Sequence, residues 1–157
     1  MLDNRAERII RDHWGPLLRP LPVQDHVAQY THAMSIGLPV GTERDIEAVH
    51  HFVFSSVDWA PDDLGIVCAR AFCDEVDYVL MEDGSVVERD GSARTWIASD
   101  FECLVRLLYV FDLFFKSDQL YGAYSGLEAA RVLASLLDPI DPRASDAGSW
   151  WLRFADY

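Results

Sequence analysis

Between residues 75 and 116 the hydrophobic pattern shifts from a period of two to a helical period. Val76, Tyr78 and Leu80 alternate with Asp77, Val79 and Met81, so one face of this run is apolar and the other only partly polar. Similar β-branched and aromatic runs cover His51 to Val57, Gly65 to Phe72, Val86 to Arg89 and Thr95 to Ala98. The links between most of them are short and hold Asp, Gly or Pro. Asp83-Gly84 and Asp90-Gly91 are hairpin signals, because both residue types tolerate positive φ. Short links between strands predict an antiparallel meander. Ser99-Asp100-Phe101-Glu102 then opens a helix over about 100–116, with Ser99 and Glu102 spaced to cap each other's free amides. At about 100° per residue, Glu102, Arg106, Asp112 and Lys116 share one stripe and every other side is apolar. Val105, Tyr109 and Leu113 also fall in that stripe, so another segment is expected to cover part of it.

The flanking sequence is helical in character. Arg5, Arg8 and Arg11 sit at helical spacing within residues 1–13, and Pro16, Pro20 and Pro22 then impose a stiff extended connector. A helix resumes after Pro22, with Asp25 near its start and Val27, Tyr30, Ala33 and Met34 on one face; Gly37 and Pro39 stop it. A further helix is predicted over 126–137, with Ser125 and Glu128 as its capping pair and Leu127, Ala130, Leu133, Ala134 and Leu137 facing inward. Asp138-Pro139 ends it. The aromatic stretch Gly148-Ser149-Trp150-Trp151-Leu152-Arg153-Phe154 is expected to dock on the sheet or helices. The fold class is therefore α+β: one domain, with an antiparallel sheet of four to six strands packed against helices. Residues 1–24 form an N-terminal helix and connector, and residues 25–157 form the domain proper.

At 157 residues the chain can bury a core without staples. Three cysteines and no leading apolar stretch after a basic start point to a reducing, cytoplasmic setting. The densest apolar run, Leu107 to Phe115, is broken by Asp112 and is shorter than the roughly eighteen residues of a membrane span. Charge is the compositional extreme, at −13 overall. Residues 58–118 alone hold 14 acids against 5 bases, a field that repels nucleic acid and anionic membrane and attracts basic partners.

Candidate chemistry is sparse. His50 and His51 begin a predicted strand and point to opposite faces, while His26 and His32 lie six apart on a predicted helix, so neither pair suits one metal ion. Cys68 and Cys73 lack the close spacing of a zinc or redox motif and read as small hydrophobes. Gly122-Ala123-Tyr124-Ser125-Gly126 places its serine one position late for a nucleophile elbow. Lys116 is the only lysine, and no glycine-rich phosphate loop is present. No catalytic residue, metal or cofactor is expected.

Two acidic clusters remain. Asp58, Asp62 and Asp63 surround Trp59 in a short loop, pairing an aromatic anchor with a charged rim suited to gripping a basic protein. Asp74, Glu75 and Asp77 form the second, just before the next strand. Solvated turns between strands are the plainer reading of both.

The helix exit at Gly37-Leu38-Pro39, the strands with acidic-Gly turns, Trp96-Ile97-Ala98-Ser99-Asp100-Phe101 opening the long helix, and Glu128-Ala129-Ala130 leading to Asp141-Pro142 and Trp150 resemble one known group. Over residues 25–155 the chain is similar to the SUKH superfamily of bacterial immunity proteins, nearest its fourth branch. Where that branch often carries Val-Asn-Ser-Ser, this chain has Ile97-Ala98-Ser99-Asp100. The resemblance implies an antiparallel sheet packed on helices and a non-catalytic protein that binds and neutralises a cognate polymorphic toxin encoded beside it. Many such toxins are nucleases or nucleotide-modifying enzymes with basic active faces. The expected partner is thus a protein toxin, met by a monomer or weak homodimer, with no direct contact to nucleic acid or membrane. The toxin-binding residues expected from charge and loop placement are Asp58, Trp59, Asp62, Asp63, Asp74, Glu75 and Asp77. An acidic regulatory or ligand-binding adaptor of the same fold, without a toxin, is the alternative.

Overall fold

The computed structural model describes residues 8, 11–12, 18–20, 31–40, 54–57, 59–71, 74–116 and 126–154. Arg8, Arg11 and Asp12 are helical; the rest of the predicted first helix and residues 21–30 lie outside the described set. The extended connector is realised at β1 (Leu18–Arg19), and helix α1 (Thr31–Ile36) runs into β2 (Leu38–Pro39), which pairs antiparallel with β1. Gly37 makes that turn. Its amide closes the helix on the Ala33 carbonyl at 3.0 Å, and its φ of +88° is open to glycine at little cost. A Cβ there would stand 2.0 Å from the Arg19 carbonyl oxygen, so the helix exit and the small sheet exclude any side chain at this position.

Five strands then follow in sequence order: β3 (Ala60–Asp62), β4 (Gly65–Ala71), β5 (Val76–Met81), β6 (Val86–Asp90) and β7 (Ala93–Ala98). Each pairs antiparallel with the next, as the short links require. The fold is α+β and, among the described residues, holds this five-stranded sheet, the two-stranded β1-β2 pair and three helices of six or more residues. Two expectations are corrected. The loop around Asp62 and Asp63 is a hairpin, with Ala60–Asp62 paired to Gly65, Ile66 and Val67. Of the predicted strand over His51 to Val57, residues 51–53 lie outside the described set, and within 54–57 Phe54 and Ser56 form isolated bridges, Phe54 to Val40 and Ser56 to Arg70, and no continuous strand.

Alternation sorts the sheet into two faces. Tyr78, Leu80 and Val86 turn toward α2 (Phe101–Lys116) and join Leu104, Leu108, Phe111 and Phe114 in the main core. Cross-strand pairing sets Ala60, Val67, Val79 and Val87 in one row on the other face. Cys68 is the extra residue of a bulge in β4, and Ile97 of one in β7.

The cap of α2 also differs from expectation. Asp100, not Ser99, accepts the helix amide of Cys103 at 2.7 Å. Ser99 is held by tertiary contacts: Asp141, only 3% exposed, accepts its amide at 2.8 Å and its hydroxyl at 3.1 Å. The segment after α3 (Gly126–Leu137) is thereby tied to the start of α2. In α3, Ala130, Leu133 and Leu137 are buried as predicted, but Leu127 is 61% exposed. The predicted cap Ser125 lies outside the described residues. Two short 3-10 turns, Pro142–Ser145 and Leu152–Phe154, follow, and between them the aromatic stretch docks as expected. Trp150 and Trp151 are buried and meet edge to face at 4.8 Å, with Phe111 of α2 at 6.2 and 5.4 Å from their respective rings.

Candidate functional site

The middle third of the chain uses its acids in two ways, and the meander separates them. Parity along the strands puts Asp62, Asp77 and Arg89 on the sheet face that carries Val67 and Val79. There Arg89 donates to Asp62 at 2.6 Å and to Asp77 at 2.5 Å, and Arg70 reaches Asp77 at 3.1 Å. Two of the predicted binding carboxylates are thus engaged by the protein's own arginines. The charge they offer a partner is correspondingly reduced.

Arg89 leaves an electrostatic signature on Asp62. The hydrogen bond from its guanidinium, helped by the Leu64 amide, holds the Asp62 carboxyl below its ordinary value of 3.8, and the two carboxylates raise Arg89 in turn. The contribution to folding is therefore present above pH 3.8 and is lost as pH falls through the lower folded value. A carboxyl NMR titration should give an Asp62 midpoint below 3.8 in the native chain, moving back toward it in Arg89→Gln. An unchanged midpoint would show that the ion pair does not persist in solution.

The exposed acids occupy the turns. Successive hairpins of a meander turn at alternate ends, so Asp63, Glu82 and Asp83 gather at one end of the sheet and Asp74, Glu75 and Asp90 at the other. The seven residues of β4 separate the ends by about 20 Å at about 3.3 Å per residue. Asp83 accepts the Ser85 hydroxyl and amide at 2.6 and 2.9 Å, which lowers its pKa and fixes its negative charge above the turn. At the other end Asp74 takes a left-handed φ of +69° and accepts hydroxyls from Ser55 at 2.8 Å and Ser56 at 3.1 Å. Its carboxylate ties the β4-β5 turn to the segment 54–57.

Trp59 is half-buried, packed on the core with its ring 6.2 Å from Phe101. Its Nε1 is enclosed and has no hydrogen-bond partner among the described residues. Asp58 lies outside the described residues, as do Cys73, His26, His50, His51 and the side chain of His32. The seven predicted residues therefore do not form one patch: Asp63 stands at one sheet end, Asp74 and Glu75 at the other, Asp62 and Asp77 on the face between, and Trp59 against the core.

Glu88 is the polar residue that sequence reading passed over. It shares parity with Val86 on the core face, and an acid at that register of an otherwise apolar face was the available signal. Its Oε2 accepts the Tyr78 hydroxyl at 3.0 Å and the Trp150 Nε1 at 2.8 Å, while Arg153 approaches Oε1 at 3.5 Å. Burial, and then the Glu88 charge, push the Tyr78 hydroxyl well above its usual pKa, so it remains a donor. The hub joins β5, β6 and the C-terminal stretch.

Nothing in these clusters activates a nucleophile. Burial pushes the Cys68 and Cys103 thiols up to about 12, the reverse of what a reactive thiolate needs. Among the described residues no group of three or more His, Cys, Asp or Glu is placed to hold a metal ion, and no helix is long and apolar enough to cross a membrane. Comparison with known protein families, with curated proteins and with solved structures finds no match to this chain.

Proposed function

We propose that the protein is an immunity protein that binds a cognate polymorphic toxin, a nuclease or nucleotide-modifying enzyme, and occludes its basic active face. The observation that carries this reading is the gathering of exposed carboxylates into the turns of a rigid meander, above all Asp63, Glu82 and Asp83 at one end. Carboxylates on turns pinned by strand pairing form a preorganised anionic surface, which steers a basic partner and competes with phosphate for its active face. The resemblance to the SUKH group supplies the toxin. The inhibitory mechanism is occlusion, with no bond made or broken.

The division of acids sharpens the expected contact. Asp62 and Asp77, neutralised by Arg89 and Arg70, are expected to hold the sheet face in shape, while the turn carboxylates meet the partner. The test is co-purification and titration with the product of the adjacent upstream gene. Charge reversal at Asp63 and Asp83 together is expected to weaken the complex at least about tenfold, mostly through the association rate, and to flatten its salt dependence. Asp62→Asn should act mainly on stability. Absence of a complex with the native chain would overturn the immunity reading, whereas a tight complex indifferent to the double reversal and to salt would overturn only this face.

A further inference from the structure

Arg89 on β6 is bonded to Asp62 on β3, with β5 and β4 lying between them in the sheet. The register sets Ala60, Val67, Val79 and Val87 in one row, with Arg89 and Asp77 two residues to one side of it and Asp62 two residues to the other. The path from Arg89 to Asp62 therefore crosses the row between Val79 and Val67. On a flat sheet the three strand spacings alone amount to about 14 Å, so a contact of 2.6 Å needs β3 to curl over this face. Val67 and Val79 are 2% and 0% exposed there and stand apart from the main core cluster.

The backbone hold on β3 is short. The strand has three residues and ends the sheet among the described residues, and Pro61 has no amide to give, so its ladder rests on Ala60 with Val67 and Asp62 with Gly65. Both flanks are fixed. Trp59 packs on the core just before β3, and at Gly65 the chain is pressed so close to β5 that a Cβ would stand 2.2 Å from the Leu80 carbonyl oxygen. Arg89 itself is seated in the middle of the sheet: its second nitrogen donates to one Asp77 oxygen at 2.5 Å, and Arg70 holds the other at 3.1 Å. The free end of the same guanidinium grips Asp62, whose Oδ1 also accepts the Leu64 amide at 3.0 Å and so braces the turn.

We propose that residues 60–64 form a strap that opens from the sheet as a local unit while the main core stays folded, and that Arg89 is its lock. An edge element with few backbone bonds is where such an opening costs least. Opening bares the β4 edge and the Val67–Val79 pair, and it carries Asp63 away from Glu82 and Asp83. The device is independent of the toxin-binding reading.

The full chain is followed by native-state hydrogen exchange, read by NMR at increasing urea below the unfolding transition. The amides of Ala60, Asp62 and Val67 are expected to show protection factors at least about tenfold lower than those of Val79 and Leu80, with the weak urea dependence of a small opening. Arg89→Gln should lower the first set about a further tenfold relative to the second, because a hydrogen bond between charged groups is lost, and Asp62→Asn should do the same from the other end. Arg70→Gln, which removes a contact to Asp77 but none to Asp62, should leave that ratio at its native value. One protection factor and one urea slope shared by both sets of amides in every chain would overturn the strap. An equal change of the ratio in Arg70→Gln and Arg89→Gln would overturn Arg89 as its lock.

Discussion

Glu88→Ala is expected to lower the folding free energy by roughly 2–5 kcal/mol, because it strands two buried donors at about 1–3 kcal/mol each. The donors are the Tyr78 hydroxyl and the Trp150 indole N–H, which share one carboxylate oxygen. Neither reaches water once the C-terminal stretch is docked, since Tyr78 is 1% and Trp150 2% exposed. Glu88→Gln keeps an acceptor oxygen and loses only the charge facing Arg153, so its cost should stay near 1–2 kcal/mol. Urea denaturation of the three chains decides the matter. A Glu88→Ala chain within about 0.5 kcal/mol of the native one would mean that the network does not hold the tail.

A second large effect is expected at Trp151. The indole is fully buried, stands edge to face against Trp150 and Phe111, and donates its Nε1 hydrogen to the Ile97 carbonyl at 2.8 Å. Trp151→Ala removes the ring and opens a cavity between β7 and α2, at a cost of roughly 3–5 kcal/mol. Trp151→Phe refills most of that space but leaves the Ile97 carbonyl without its donor, for a loss nearer 1–2 kcal/mol. Ile97 is the bulged residue of β7, so its carbonyl is available to a side chain and not committed to the neighbouring strand. Equal destabilisation by the two substitutions would assign the whole effect to the hydrogen bond; a loss below about 1 kcal/mol in Trp151→Ala would show that the tail is not anchored there.

Elements with a sustained period were readable from the sequence. Val76–Met81 is legible at its observed ends because Val76, Tyr78 and Leu80 recur with a period of two between an acidic cluster and the Asp83-Gly84 turn, and α2 and α3 agree within a residue. β3 was missed because three residues that include Pro61 and Asp62 carry no period; its pairing comes from the register of β4. Ser99 and Leu127 were misread for a common reason. Local capping rules and a helical wheel see only neighbours in the chain, whereas Ser99 is claimed by Asp141, forty-two residues away, and Leu127 by a groove that α3 forms with residues 145–153.

The candidate acids were visible as charges but not as roles. Whether a carboxylate is free depends on which arginine crosses the sheet to meet it, and Arg89 reaches Asp62 across twenty-seven positions. The Asp74, Glu75 and Asp63 turns could be read because turn residues keep their exposure whatever the tertiary packing.

The clasp between Trp151 and Ile97 spans fifty-four positions, so on the ribosome the strands emerge long before the indoles that seal them. Until then the nascent meander carries an oily flank and an uncovered β7 border, the kind of intermediate that chaperones hold and that aggregates when synthesis outpaces closure.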